Sequence, residues 1–193
     1  MKEKVVTKNQ LNKHLFLYKS IFYKYIKFKT NDNDEETQNI VNGLNIKNRK
    51  KRIKYVFDKC CEILDNDFPT NACDFINGQC IVQRQNKSTQ KCGCCRYCEY
   101  VTKNGCPSKN VACKIFNCSE ITKKYKLKTK KDLYLLKLLS IKNREVITHN
   151  YFTIEEESLK DLYTLTYTYA FLRMVYRQIR RLFRKDKYLY LNK

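Results

Sequence analysis

Nine cysteines fall between Cys73 and Cys118, and Cys60 and Cys61 sit just upstream; the rest of the 193-residue chain has none. A window this short and polar cannot build a hydrophobic core, so its thiols either cross-link the backbone or hold something that does. Both prolines and three of the four glycines lie between Pro69 and Pro107. The flanks are almost free of turn-formers, which favours helix there. Three segments result: a helical segment over 1–68, a cysteine-rich module over 70–119 and a second helical segment over 120–193. They are expected to form one compact unit of mainly α class, a helical scaffold around an irregular zinc-ribbon or knuckle-like module with short hairpins.

In the first segment, Leu17, Ile21, Tyr25 and Phe28 recur at helical spacing, and Asn31 to Glu36 reads as a polar, acidic break. A second helix is predicted from about Lys47 to Asp65. Ile53, Val56, Phe57, Cys60, Cys61 and Leu64 fall on one face of it, at i, i+3, i+4, i+7, i+8 and i+11. That placement reads Cys60 and Cys61 first as small buried hydrophobes, with a supplementary ligand role as the second reading.

The middle segment holds two Asn-Gly steps, Asn77-Gly78 and Asn104-Gly105, the strongest short hairpin signal because both residues tolerate positive φ. The first predicts a hairpin pairing Asp74-Phe75-Ile76 with Gln79-Cys80-Ile81-Val82. The second places Cys106 just past a turn. Gln85 to Gln90 reads as loop.

In the third segment, Asp132 to Ile141 predicts a short buried helix. Thr153 and Glu156 match a capping box, with Glu155, Glu156 and Glu157 suited to a helix N-terminus. A long helix should follow to about Arg184. Its apolar face would be Leu159, Leu162, Thr166, Tyr169, Leu172, Tyr176, Ile179 and Phe183. The alternation over Tyr163 to Tyr169 reads as strand on its own, but the helical period downstream outweighs it.

The chemistry is concentrated in Cys92-Gly93-Cys94-Cys95-Arg96-Tyr97-Cys98, where Cys92/Cys95 and Cys95/Cys98 are C-x-x-C pairs. A two-residue gap lets two thiolates converge on one ion, and Zn²⁺ takes four in a tetrahedron. The candidate ligands are Cys73, Cys80, Cys92, Cys94, Cys95, Cys98, Cys106, Cys113 and Cys118, enough for one or two zinc ions. The two histidines, His14 and His149, lie outside the window. An all-thiolate set suits zinc or an iron–sulfur cluster. Zinc is preferred because the C-x₂-C-x₂-C-x₃-C-P cluster run is absent. Lys91, Arg96, Lys103, Lys109 and Lys114 would offset the charge of a four-thiolate zinc site. Cys95-x-x-Cys98 could also exchange disulfides, although neighbouring thiols crowd it. There is no P-loop, G-x-G-x-x-G, G-x-S-x-G or H-E-x-x-H, so the reading leans away from an enzyme.

The string from Cys73-Asp74-Phe75 through Asn77-Gly78-Gln79-Cys80 to Cys113-Lys114-Ile115-Phe116-Asn117-Cys118 resembles a group of uncharacterised cysteine-cluster proteins from low-G/C bacteria. The resemblance covers the middle half of the chain. It implies helices on either side of the cluster and a bound metal, and it implies no activity.

The net charge of +21, from 40 basic against 19 acidic residues, points to an anionic partner. An A/T-rich coding sequence explains some of the lysine, less of the acidic deficit. Nucleic acid is the first candidate. It would be contacted by Arg173, Arg177, Arg180, Arg181 and Arg184, helped by aromatic–basic interleaving such as Phe22-Tyr23-Lys24-Tyr25-Ile26-Lys27. An anionic membrane surface is the second, met by Leu15 to Phe28 or by the basic C-terminal helix as an interfacial helix. No run approaches the ~20 apolar residues of a membrane span. The N-terminal stretch, interrupted by Lys19, Lys24 and Lys27, does not read as a signal peptide, so a reducing cytoplasm is expected, where clustered cysteines bind metal more often than they pair. The overall expectation is a zinc-binding, non-enzymatic nucleic-acid-binding or regulatory interaction factor. An iron–sulfur or thiol-redox protein, or a basic membrane-surface protein, are the alternatives.

Overall fold

The structure, a computed structural model, describes residues 2–19, 24–67, 73–77, 79–85, 100, 109–116, 118–164 and 167–183. It is mainly helical. Helices α1 (Lys8–Leu17), α2 (Glu35–Asn45), α3 (Arg49–Asp67), α4 (Ile81–Gln85), α5 (Val111–Ile115), α6 (Ser119–Lys124), α7 (Ile141–His149), α8 (Glu155–Tyr163) and α9 (Tyr167–Leu182) carry the scaffold. Two short strands, β1 (Lys2–Val5) and β2 (Ile26–Lys29), join them.

The centre of the core is α3. Ile53, Val56, Phe57, Cys60, Cys61 and Leu64 are all buried, as their spacing predicts. Around this stripe pack α2, the leucine-rich stretch after Thr129, α5 and α8, with α7 behind α5 and α8. Val6, Leu11 and Phe28 from the first segment, Val111 from the cysteine module, and Leu162 and Ala170 from the third join one continuous apolar cluster.

The first segment departs from the expected helix. Thr7 and Gln10 form a reciprocal capping box that starts α1. The helix ends at Leu17, and Phe28 lies in β2. There it enters the core by strand alternation, between exposed Lys27 and Lys29. β1 and β2 pair in parallel, Lys2 opposite Ile26 through Val5 opposite Lys29. A two-stranded ribbon leaves one edge of β2 without a ladder partner. Asn45 takes that place at Phe28: its side chain accepts from the Phe28 N–H (2.9 Å) and donates to the Phe28 carbonyl (2.8 Å).

The acidic stretch before α2 is a helix start rather than a plain break. Asp34 caps the Thr37 N–H, and Glu35 and Glu36 occupy the first turn. Gly43 in α2 faces the Leu138 side chain so closely that a Cβ there would collide with it.

The leucine-rich stretch is buried but is not an α-helix. It forms two 3₁₀ turns, Lys130–Asp132 and Tyr134–Leu138. In 3₁₀ geometry residues three apart share a face. Leu133, Leu136 and Leu139 thus fall in one row and Leu135 and Leu138 in another, and all five are buried. The third row is wetter: exposed Lys137 places its ammonium over the ring of Tyr134, 3.6 Å from its centre.

The long C-terminal helix is two helices. α8 stops at Tyr163 and α9 begins at Tyr167, the region where the alternating Thr pattern interrupts the helical period. The capping box at Thr153 is also replaced. Ile154 precedes α8 without a side-chain cap, and the Thr153 hydroxyl instead donates to the Asn150 carbonyl at 3.0 Å. The three glutamates do occupy the first turn of α8.

Candidate metal centre

Four of the nine candidate ligands fall among the described residues. Cys92, Cys94, Cys95, Cys98 and Cys106 lie outside them, as does the Asn104-Gly105 turn.

The chain turns back at Asn77, while Gly78 lies outside the described residues, and a hairpin turn results. Ile76 and Gln79 exchange backbone hydrogen bonds of 3.0 and 3.1 Å across it, and Asn77 adopts φ 51°. The next link runs from the Ile81 N–H to the Cys73 carbonyl, 3.0 Å. It draws the backbone at Cys73 alongside the backbone at Cys80. Asp74, directly after Cys73, is also left-handed at φ 49°. Arg84 pins the arm: it donates to the carbonyls of Gln79 (2.9 Å) and Asp74 and pairs with the Asp74 carboxylate. The predicted strand pairing reduces to the single Ile76–Gln79 bridge, because the chain turns into α4 at Ile81.

Cys113 sits in the first turn of α5. Asn110 caps that helix by accepting from the Cys113 N–H. The Cys113 sulfur in turn accepts the Phe152 N–H at 3.2 Å. Phe152 holds φ 60°, a conformation a bulky residue rarely adopts. Cys118 immediately precedes α6 and is half-buried.

Cys60 and Cys61 are fully buried on α3. Burial pushes the Cys60 thiol far above its ordinary value, and it pushes Cys61 up to about 12. Thiolate is the ligating form, so these two pack as small apolar side chains. The His149 ring, at the end of α7, engages the Glu145 carbonyl through Nδ1 at 2.9 Å. Among the described residues no three His, Cys, Asp or Glu side chains converge as a metal-holding group.

Two of the lysines expected beside the thiolates face carboxylates instead. Lys109 pairs with Asp58 (2.8 Å) and Glu155 (3.5 Å), and Lys114 pairs with Asp65. Lys54 joins the first group, 2.6 Å from Glu155 and 2.9 Å from Asp58. These ions tie α3 to α5 and α8. Burial alone would raise the Asp58 carboxyl, but the hydrogen bonds from Lys109 and Lys54 hold it below the usual range. The same carboxylates raise Lys54 and Lys109.

Behind Cys113 lies a buried polar hub that sequence reasoning missed. The Asn110 amide donates to the carbonyls of Asn150 (3.0 Å) and Thr153 (2.9 Å) and to the Thr153 hydroxyl (2.6 Å). Asn150 donates to Asp161 at 2.9 Å. Asp161, with no side-chain exposure, pairs with Arg173 at 2.6 Å and with Arg177. Arg177 also donates to the Asn150 side-chain oxygen at 2.8 Å. The hub links the start of α5, the end of α7, the turn at Phe152 and helices α8 and α9. The Arg173-x-x-x-Arg177 spacing is visible in the sequence, but its partner Asp161 lies in a segment whose sequence signal is an apolar face.

Of the five arginines expected at a nucleic-acid surface, Arg173 and Arg177 therefore face Asp161, and Arg180 is exposed. The Arg181 side chain and Arg184 lie outside the described residues. The predicted apolar face of the long helix divides. Leu159 and Leu162 on α8 are buried, whereas Tyr169, Leu172, Tyr176, Ile179 and Phe183 are exposed by 55, 57, 63, 47 and 80%.

Comparison of the chain with family models, curated proteins and solved structures finds no match.

Proposed function

We propose that the chain is a non-enzymatic thiolate–metal protein, with zinc as the metal, that works as an interaction factor. The observation that carries this reading is the amide aimed at Cys113. A left-handed Phe costs about 1–3 kcal/mol, and here that conformation accompanies the delivery of an N–H to a sulfur at 3.2 Å. A metal-bound thiolate is a far better acceptor than a neutral thiol, and such N–H donors orient and stabilise ligating sulfurs. Cys113 is one proposed ligand. Cys73 and Cys80, on the two arms of the hairpin, are further candidates, as are Cys92, Cys94, Cys95, Cys98, Cys106 and Cys118, and the ligands would be shared between one or two ions. Bound zinc would supply a structural cross-link where the window lacks an apolar core.

Elemental analysis of protein purified without oxygen, with thiols counted before and after a chelator, tests this. One or two zinc per chain, with about four thiols protected for each, is the expected result. Iron with matching sulfide and visible absorbance would favour the iron–sulfur alternative. Absence of metal with few free thiols would contradict both.

One observation favours nucleic acid as the partner: the net charge of +21. Binding to an oligonucleotide should then weaken steeply with salt, because phosphate contacts release counterions. Salt-insensitive or absent binding would contradict it.

A further inference from the structure

α9 is inside out. Surface helices of globular proteins turn their apolar stripe to the core and their charges to water. In α9 the side facing the protein carries Arg173 and Arg177 on Asp161, Gln178 on the Tyr151 carbonyl and, among the described side chains, Ala170 and Met174 as the buried apolar residues. The outward side carries Tyr169, Leu172, Tyr176, Ile179 and Phe183, at i, i+3, i+7, i+10 and i+14, with exposed Phe171 beyond them. A contiguous exposed apolar stripe of this kind marks an interaction surface.

We propose that α9 is an interfacial helix that lays this face on an anionic lipid surface. Charge complementarity selects that occupant. The helix has no acidic residue, and exposed Arg180 borders the stripe. The whole chain carries +21. An apolar face bordered by an exposed arginine on a strongly basic chain, with tyrosine among its residues, suits the headgroup–acyl boundary, where such a helix sinks roughly 5–10 Å. A second copy of the chain is disfavoured, since face-to-face packing would juxtapose two helices whose only charges are arginines. Nucleic acid is disfavoured at this face, because Arg173 and Arg177 are turned to Asp161 and the outward side is rings and aliphatics. Among the described residues no helix is long and apolar enough to cross a membrane, so α9 lies on the surface rather than through it.

The test is flotation of the full chain with phosphatidylcholine vesicles, with and without phosphatidylserine. Binding to the anionic vesicles is expected, and the double variant Leu172→Ser/Ile179→Ser should bind roughly tenfold or more weakly at an unchanged melting temperature. The chain has no tryptophan, so Tyr176→Trp provides a single conservative reporter whose emission should shift to the blue with anionic vesicles alone. Failure of the wild type to float overturns the proposal. So does equal flotation of the double variant, which would assign adsorption to lysines elsewhere. A dimer that the double variant dissociates would give the face to a second copy. A shift of the Tyr176→Trp emission by a single-stranded oligonucleotide but not by vesicles would give it to nucleic acid.

Discussion

α3 and α9 are both amphipathic, both long and both basic, and they are oriented oppositely. α3 buries its apolar stripe from Ile53 to Leu64 and leaves Lys50, Lys51, Glu62 and Asp65 in water. α9 buries the anchoring ends of two arginines and leaves its aromatic and aliphatic stripe outside. The difference is Asp161. A carboxylate with no solvent exposure is tolerable only when it is paired, and α8 presents it where α9 must pack. Pairing Asp161 decides the rotation of α9. The hydrophobic period defines a stripe on a helix, while a single buried charge elsewhere settles which way the stripe points.

Two buried side chains, Phe57 on α3 and Asp161 beneath α9, should show the contrast most strongly. Phe57→Ala should destabilise the fold by about 3–5 kcal/mol, since a fully buried ring is replaced by a cavity. Asp161→Ala should cost about 3 kcal/mol by leaving Arg173 and Arg177 without their counter-charge. Urea denaturation checks both. Amide exchange should show the second loss concentrated in α9. A loss of stability for Asp161→Ala below about 0.5 kcal/mol would mean that the pair does not set the helix rotation.

Next in size is Asn110→Ala. It removes the amide that ties Asn150 to Thr153 and uncaps α5, and should cost about 1–3 kcal/mol. The pH dependence is smaller. Asp58 is held low in the folded state, so its contribution is present above the ordinary Asp range and disappears as pH falls through the depressed value. Lys54 and Lys109 are raised, so theirs is full below the ordinary Lys value and disappears as pH climbs past the raised one. Stability at the α3–α8 contact should therefore form a plateau from about pH 5 to pH 10. Asp58→Asn should flatten the acid side, as thermal melts across pH would reveal.

The smallest effect is the sharpest for the comparison. Leu172→Ala, a truncation like that of Phe57 in α3, should alter stability by no more than about 0.5 kcal/mol, because Leu172 is exposed. A loss of about 2 kcal/mol or more, the size of a core leucine truncation, would place the stripe of α9 inside the molecule.

What the sequence reveals depends on the range of the interaction involved. α3 is legible because six apolar positions repeat over three turns, and its own period carries the information. The Asn77 turn is legible because positive φ is a local property. α2 escapes a sequence reading although Asp34, Glu35 and Glu36 signal a helix start, since acidity alone resembles a loop. The Thr153 capping box is a sound local pattern overridden by Asn110, which reaches it across 43 positions of sequence. The leucine run resembles a helix because composition does not separate periods of 3.0 and 3.6. Cys60 and Cys61 separate from the ligand candidates by their place on an apolar face. The Phe152 amide is invisible, because a backbone donor has no signature in sequence.

The orientation of α9 is tested most directly by acrylamide quenching of Tyr176→Trp in the protein alone, without vesicles or nucleic acid. The structure predicts red-shifted emission quenched nearly as efficiently as free indole. Blue-shifted emission shielded from quencher in the monomer would contradict it, and would mean that α9 turns its apolar stripe inward.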